Sequence, residues 1–188
     1  MKRAPLSICI FTVLALCPVL VTAQTGSSAT TTGADAKKPV STLSSSDKQL
    51  VKSAGEAQVG LLHMSEFGKA NGGSDATKEL AKKVLDEVNT SWGELATAAK
   101  GAELPKTDQS AGEKRDFADL KKNNGPKGEK AYLKALEKEV KRAAATFVNG
   151  AKSASDEELK AYFAKFQPKL TALSTEVSTA ESESGKKK

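Results

Sequence analysis

Four stretches of the chain repeat apolar residues at alternating spacings of three and four, the signature of helices that bury one face. In the first, over Asp47 to Ala70, the apolar positions are Leu50, Ala54, Ala57, Leu61 and Met64. Ser46 with Gln49 reads as a capping box at its start, and Asn71-Gly72-Gly73 ends it. The second, Asp75 to Lys100, carries Ala81, Val84, Val88, Leu95 and Ala99 with Trp92 beside them, Ser74 as its cap and Gly101 as its terminator. So short a break between the two predicts an antiparallel pair.

The rhythm then changes. Residues 101–128 contain Leu104-Pro105, a short helix expected over Ala111 to Lys122 presenting Phe117 and Leu120, and the breaker cluster Asn123-Asn124-Gly125-Pro126. A connection this long is a crossover, not a hairpin. Beyond it, Glu129 to Lys152 shows Leu133, Leu136, Val140, Ala144, Phe147 and Ala151. The last helix, Asp156 to Thr179, shows Leu159, Phe163, Phe166, Leu170, Leu173 and Val177, with Ser155 and Glu158 as a second capping box and Pro168 as an expected kink. No strand pattern competes. The fold class read from this pattern is all-α: an antiparallel four-helix bundle of the ferritin-like topology, two helical hairpins joined by a long crossover that holds a short extra helix. Helices of about 36 Å match one another well enough to share a core.

The remainder of the chain reads as targeting and tether. Met1, Lys2 and Arg3 precede an apolar run from Leu6 to Val21, and Val21-Thr22-Ala23 before Gln24 is a small-residue cleavage site, so residues 1–23 are expected to be a secretory signal peptide cut after Ala23. Leu16 ahead of Cys17 is too large for a lipidation box. Residues 24–46, rich in Ser, Thr, Ala and Gly, are expected to be a flexible tether, residues 47–179 the bundle, and residues 180–188 a disordered basic tail. These readings place the mature protein in the periplasm or outside the cell, with no transmembrane segment.

Composition narrows the chemistry. Both cysteines, Cys9 and Cys17, fall within the signal, so the mature chain has neither a disulfide nor a thiolate ligand. The net charge of +6 falls to +4 without Lys2 and Arg3 and to +1 without Lys186, Lys187 and Lys188. The folded part is close to neutral, which argues against a nucleic-acid surface, as does the sparse set of aromatic residues at core spacing.

The chain resembles the ferritin-like domain-of-unknown-function family of bacterial envelope proteins, often labelled predicted outer membrane proteins. The resemblance spans roughly Asp47 to Val177. It is carried by Asp47, Leu50, Ala54 and Glu56, by Val84-Leu85-Asp86-Glu87 with Glu94-Leu95 and Leu104-Pro105, by Ala131-Tyr132-Leu133, and by Leu159, Tyr162, Phe163 and Pro168. It implies a histidine after the acidic pair of the second helix, one about eight residues past the tyrosine motif, one about five past the last helix's proline, and often a glutamate in the first helix. Those places hold Val88, Val140, Leu173 and Leu61. All four lie on the apolar stripes, so the resemblance implies a divergent member: if the family positions form an inward polar or metal-binding cluster, hydrocarbon replaces that cluster here.

Little else offers chemistry. A carboxylate-bridged metal pair in a bundle needs Glu-x-x-His, and the single histidine, His63, has Gly60 three positions before it. Beside the stripe of Leu61 and Met64, His63 reads as a partly exposed helix residue more than as a lone ligand or pH sensor. Asp86-Glu87 and Glu157-Glu158 are sequence neighbours that diverge by about 100° around a helix. Lys127, Lys130, Lys134, Lys138 and Lys141 share one helix face, either as a solvated surface interleaved with Glu129, Glu137 and Glu139 or as a contact to an anionic surface. The expectation is a non-catalytic structural or interaction protein without cofactor, acting on an unknown envelope partner and with peripheral membrane contact open to it. The alternatives are a bundle that binds a metal ion or small ligand and an adhesin for an anionic envelope.

Overall fold

The structure is a computed structural model that describes residues 41–123 and 125–184, with residues 125 and 126 described by their backbone alone. Expectations for residues 1–40 and 185–188, which include the signal peptide, most of the tether and the basic tail's lysines, lie outside the described residues. Five helices follow in order: α1 (Ser45–Asn71), α2 (Asp75–Ala98), α3 (Ala111–Lys122), α4 (Gly125–Ser153) and α5 (Glu157–Ser184). Among the described residues there is no β-strand.

The four long helices pack as a helical bundle in which α1 lies between α2 and α4, and α5 closes the ring against the same two. Side-chain contacts fix the directions. Asp47 near the start of α1 meets Ser155 past the end of α4, and Lys83, Glu87 and Glu94 descend α2 against Glu176, Lys169 and Lys165 of α5. Each helix is therefore antiparallel to both neighbours. The segment 99–110 leaves the end where α1 begins and climbs beside α1 towards α3; Pro105, Thr107 and then Phe117 of α3 meet Gly55, His63 and Phe67 in order. At Gly55 the approach is too close for a side chain, since a Cβ there would sit 2.5 Å from Pro105 Cδ.

The stripes become the core. Ala54, Leu61, Val84, Leu95, Leu136, Phe147, Phe163, Phe166 and Val177 are fully buried. Phe147, Tyr162, Phe163 and Phe166 form an aromatic cluster with neighbouring ring centroids 5.3–5.5 Å apart. Leu50, Ala144 and Ala151 are only half-buried, and Ala143, one residue from the expected Ala144, takes the core position.

Several boundaries differ from expectation, each for a local reason. The cap of α1 is Ser44, not Ser46: its hydroxyl accepts from the Asp47 amide at 3.1 Å, while the buried Asp47 carboxylate accepts from the Ser155 amide at 2.9 Å. Order extends upstream of the capping serine because Leu43, expected in the tether, tucks into the core at 5% exposure. Asp156, not Ser155, caps α5, accepting from the amides of Glu158 and Leu159. Lys100, at φ 46°, turns back to pair with it at 2.7 Å. That ammonium holds the Asp156 carboxyl below its ordinary range. The last helix passes through Pro168 and continues to Ser184, beyond the expected boundary at Thr179. The short helix lies over Ala111–Lys122, as its pattern predicts, fastened by a capping box between Ser110 and Glu113.

Candidate functional site

Three places in the fold can be weighed as sites: the middle of the bundle, the cleft beneath the crossover, and the outer face of α4.

In the middle of the bundle, Leu61, Val88, Val140 and Leu173 all join the buried cluster, with exposures of 0, 2, 0 and 4%. The interior is nevertheless not wholly hydrocarbon. Gln58 of α1, Ser91 of α2 and Tyr162 of α5 are buried together. The Gln58 Nε2 donates to the Tyr162 hydroxyl at 2.9 Å, and the hydroxyls of Ser91 and Tyr162 share a hydrogen bond of 2.8 Å. Gln58 Oε1 finds no partner among the described residues. Burial pushes the Tyr162 phenol well above its ordinary pKa, so this knot stays neutral. Leu61 and Val88 lie three residues from Gln58 and Ser91, under one turn along the same helices. The polar knot thus borders the apolar positions without supplying a charged ligand.

The cleft, about 590 Å³, opens between α1, the crossover, α3 and α4. Glu56, Asp108 and Asp116 line it from one side, Lys138 and Arg142 from the other. Arg142 is already engaged, with Nη2 2.7 Å from Glu139 Oε2. At the cleft's edge His63 departs from expectation, being buried at 3% instead of partly exposed. The reason is the crossover, which covers it. Its Nε2 lies 2.7 Å from the Thr107 carbonyl oxygen and its Nδ1 3.0 Å from Glu113 Oε1. Among the described residues, no group of three His, Cys, Asp or Glu side chains is placed to hold a metal ion. What the cleft offers is charge and shape.

On α4, Lys127, Lys130, Lys134, Lys138 and Lys141 are all exposed on the side away from the core. Only Lys141 is ion-paired among the described residues, to Glu137 at 2.7 Å. That pairing, with a hydrogen bond from Ser178, holds the Glu137 carboxyl below its ordinary range. No helix among the described residues is long and apolar enough to cross a membrane.

The knot and the His63 contact escaped the sequence reading for different reasons. Gln58, Ser91 and Tyr162 each stand at stripe spacing: Gln58 four after Ala54, Ser91 three after Val88, Tyr162 three after Leu159. Their polar side chains hid a regular position. Nothing local pairs His63 with Glu113, fifty residues away.

None of the curated proteins and none of the solved structures matches the chain. One family does match, over residues 30–179, and this covers all of α1 to α4 and most of α5. By that match the chain belongs to the family described as a domain of unknown function, DUF4142.

Proposed function

We propose that this protein is a non-catalytic structural or interaction protein of the periplasm or cell exterior, built on a ferritin-like four-helix bundle whose central polar positions have become hydrocarbon. The ring of four mutually antiparallel neighbours and a crossover running the bundle's length support the ferritin-like arrangement. The basic start, apolar run and small-residue site before Gln24 support export.

One observation carries the reading: Leu61, Val88, Val140 and Leu173 all belong to the one buried core cluster. Burying each such side chain contributes about 1.5–3 kcal/mol, so these positions serve cohesion where ionisable ligands would weaken it. Elemental analysis of the untagged mature protein is expected to find iron, manganese and zinc far below one per chain. A stoichiometric metal surviving dialysis would overturn the assignment in favour of a metal-binding bundle.

A second reading, adhesion to an anionic envelope surface, draws on the unpaired lysines of α4. Each basic residue near such a surface contributes about 1 kcal/mol and the attraction fades with salt. Co-sedimentation with anionic lipid vesicles is expected at low ionic strength, and the triple change Lys130→Gln, Lys134→Gln, Lys138→Gln should lower the bound fraction at least tenfold. Equal binding by the variant, or binding indifferent to salt, would remove this reading.

A further inference from the structure

One imidazole on α1 reaches both the crossover and α3. Both ring nitrogens of His63 face acceptors, the Thr107 carbonyl oxygen at Nε2 and Glu113 Oε1 at Nδ1. A carbonyl oxygen can only accept, so Nε2 must carry a hydrogen. In a neutral imidazole Nδ1 would then be a bare lone pair aimed at an ionised carboxylate, which has no hydrogen to give. The arrangement closes only when one more proton lies between Nδ1 and Oε1.

We propose that His63 and Glu113 form a proton-operated latch, which holds the crossover and α3 against α1 while the pair keeps its shared proton and releases them when that proton leaves. The Glu113 carboxyl sits below its ordinary range: burial pushes it up, but hydrogen bonds from His63 and Ser110 outweigh that. The remaining apolar contacts of this segment are only partly buried: Ala102, Leu104, Phe117 and Leu120 pack against the core. Among the residues of α3 none is buried, and Phe117 stacks on Phe67 of α1 with ring centroids 5.2 Å apart.

The other charged groups of the cleft do not touch the ring. They are Glu56 on α1, Lys106 and Asp108 on the crossover, Asp116 on α3, and Lys138 with the Glu139–Arg142 pair on α4. His63 is the chain's single histidine, and histidine is the side chain that ordinarily changes charge between about pH 5 and 8. Release would bare an apolar strip of α1 carrying Val59, His63 and Phe67, spaced four residues apart. The latch therefore couples proton loss to exposure of this strip.

Linkage gives the sign. Where a free imidazole is neutral, the docked form binds one proton more than the released form, so docking is strongest at mildly acidic pH and weakens as pH rises; at lower pH it weakens again, because protonation of Glu113 removes the ionised partner that docking favours. Hydrogen exchange of the mature protein, corrected for the intrinsic pH dependence of exchange, should show protection over residues 102–122 falling by up to about tenfold per pH unit once the proton begins to leave. The four long helices should keep their protection. Trp92, the only tryptophan, and Pro105 both abut Gly55, so its emission should shift to the red over the same interval.

Glu113→Gln provides the decisive control. A carboxamide can donate to the bare Nδ1 while its oxygen still accepts from the Ser110 amide, so docking survives without the extra proton. The variant should be docked and flat across pH. Wild-type protection that does not change between about pH 5 and 9, or a Glu113→Gln protein that titrates as the wild type does, would overturn the latch.

Discussion

The core of the bundle and the crossover that climbs α1 are held by opposite kinds of contact. Between the long helices lie fully buried rings and branched side chains from all four, joined by a small neutral polar knot. The crossover and α3 rest on a proline ring, one ring stack, a few partly buried apolar side chains and one proton-dependent pair, with no residue of α3 buried. Dry, many-sided packing gives cooperative stability that resists local opening. A segment held by few contacts opens on its own, and its opening can be tied to a single titrating group. The comparison locates where this protein is rigid and where it can respond.

The strongest way to sharpen that contrast is to damage the core alone. Phe163 is fully buried, packed edge-on against Phe147 at 5.3 Å and beside Tyr162. Phe163→Ala removes a ring that its neighbours cannot refill and should lower global stability by about 3–5 kcal/mol. Urea unfolding followed by circular dichroism measures it. Comparable loss from a substitution confined to the crossover, such as Phe117→Ala, would break the distinction.

How much of this was legible in the sequence follows the same line. The long helices could be read because each buries a stripe, and stripes follow from the 3.6-residue repeat without knowledge of partners. Leu136, Val140 and Phe147 needed only their spacing to be placed inside. Gln58, Ser91 and Tyr162 stand at stripe positions too, yet a polar residue there signals burial only once another helix offers its hydroxyl or amide. His63 was harder still. Its exposure on α1 is decided by Thr107 and Glu113, which a flexible-looking connection brings across from elsewhere in the chain. The capping serines show the same limit on a smaller scale: with Ser44, Ser45 and Ser46 in a row, composition marks a helix start and only geometry selects the cap.

Two helix-interior glycines test the comparison with the same substitution in both regions. Gly150 of α4 lies beneath the Phe163 ring, where a Cβ would approach ring carbons at 2.5 Å, and Gly55 of α1 lies beneath Pro105 at the same separation. Alanine favours a helix interior over glycine by about 1 kcal/mol, so both changes begin with equal helical gain. At position 150 the obstructed ring is locked among other core rings, and overpacking of this kind destabilises by about 1–3 kcal/mol. Gly150→Ala should therefore lower the global unfolding midpoint. At position 55 the obstructed atoms belong to a segment that can lift away. Gly55→Ala should keep global stability within about 1 kcal/mol of wild type while raising hydrogen exchange over residues 102–110, because the displaced crossover absorbs the strain instead of the bundle. If Gly55→Ala instead lowered the global midpoint as much as Gly150→Ala, the crossover would have to be counted as part of the cooperative core, and its release could not occur without unfolding the long helices.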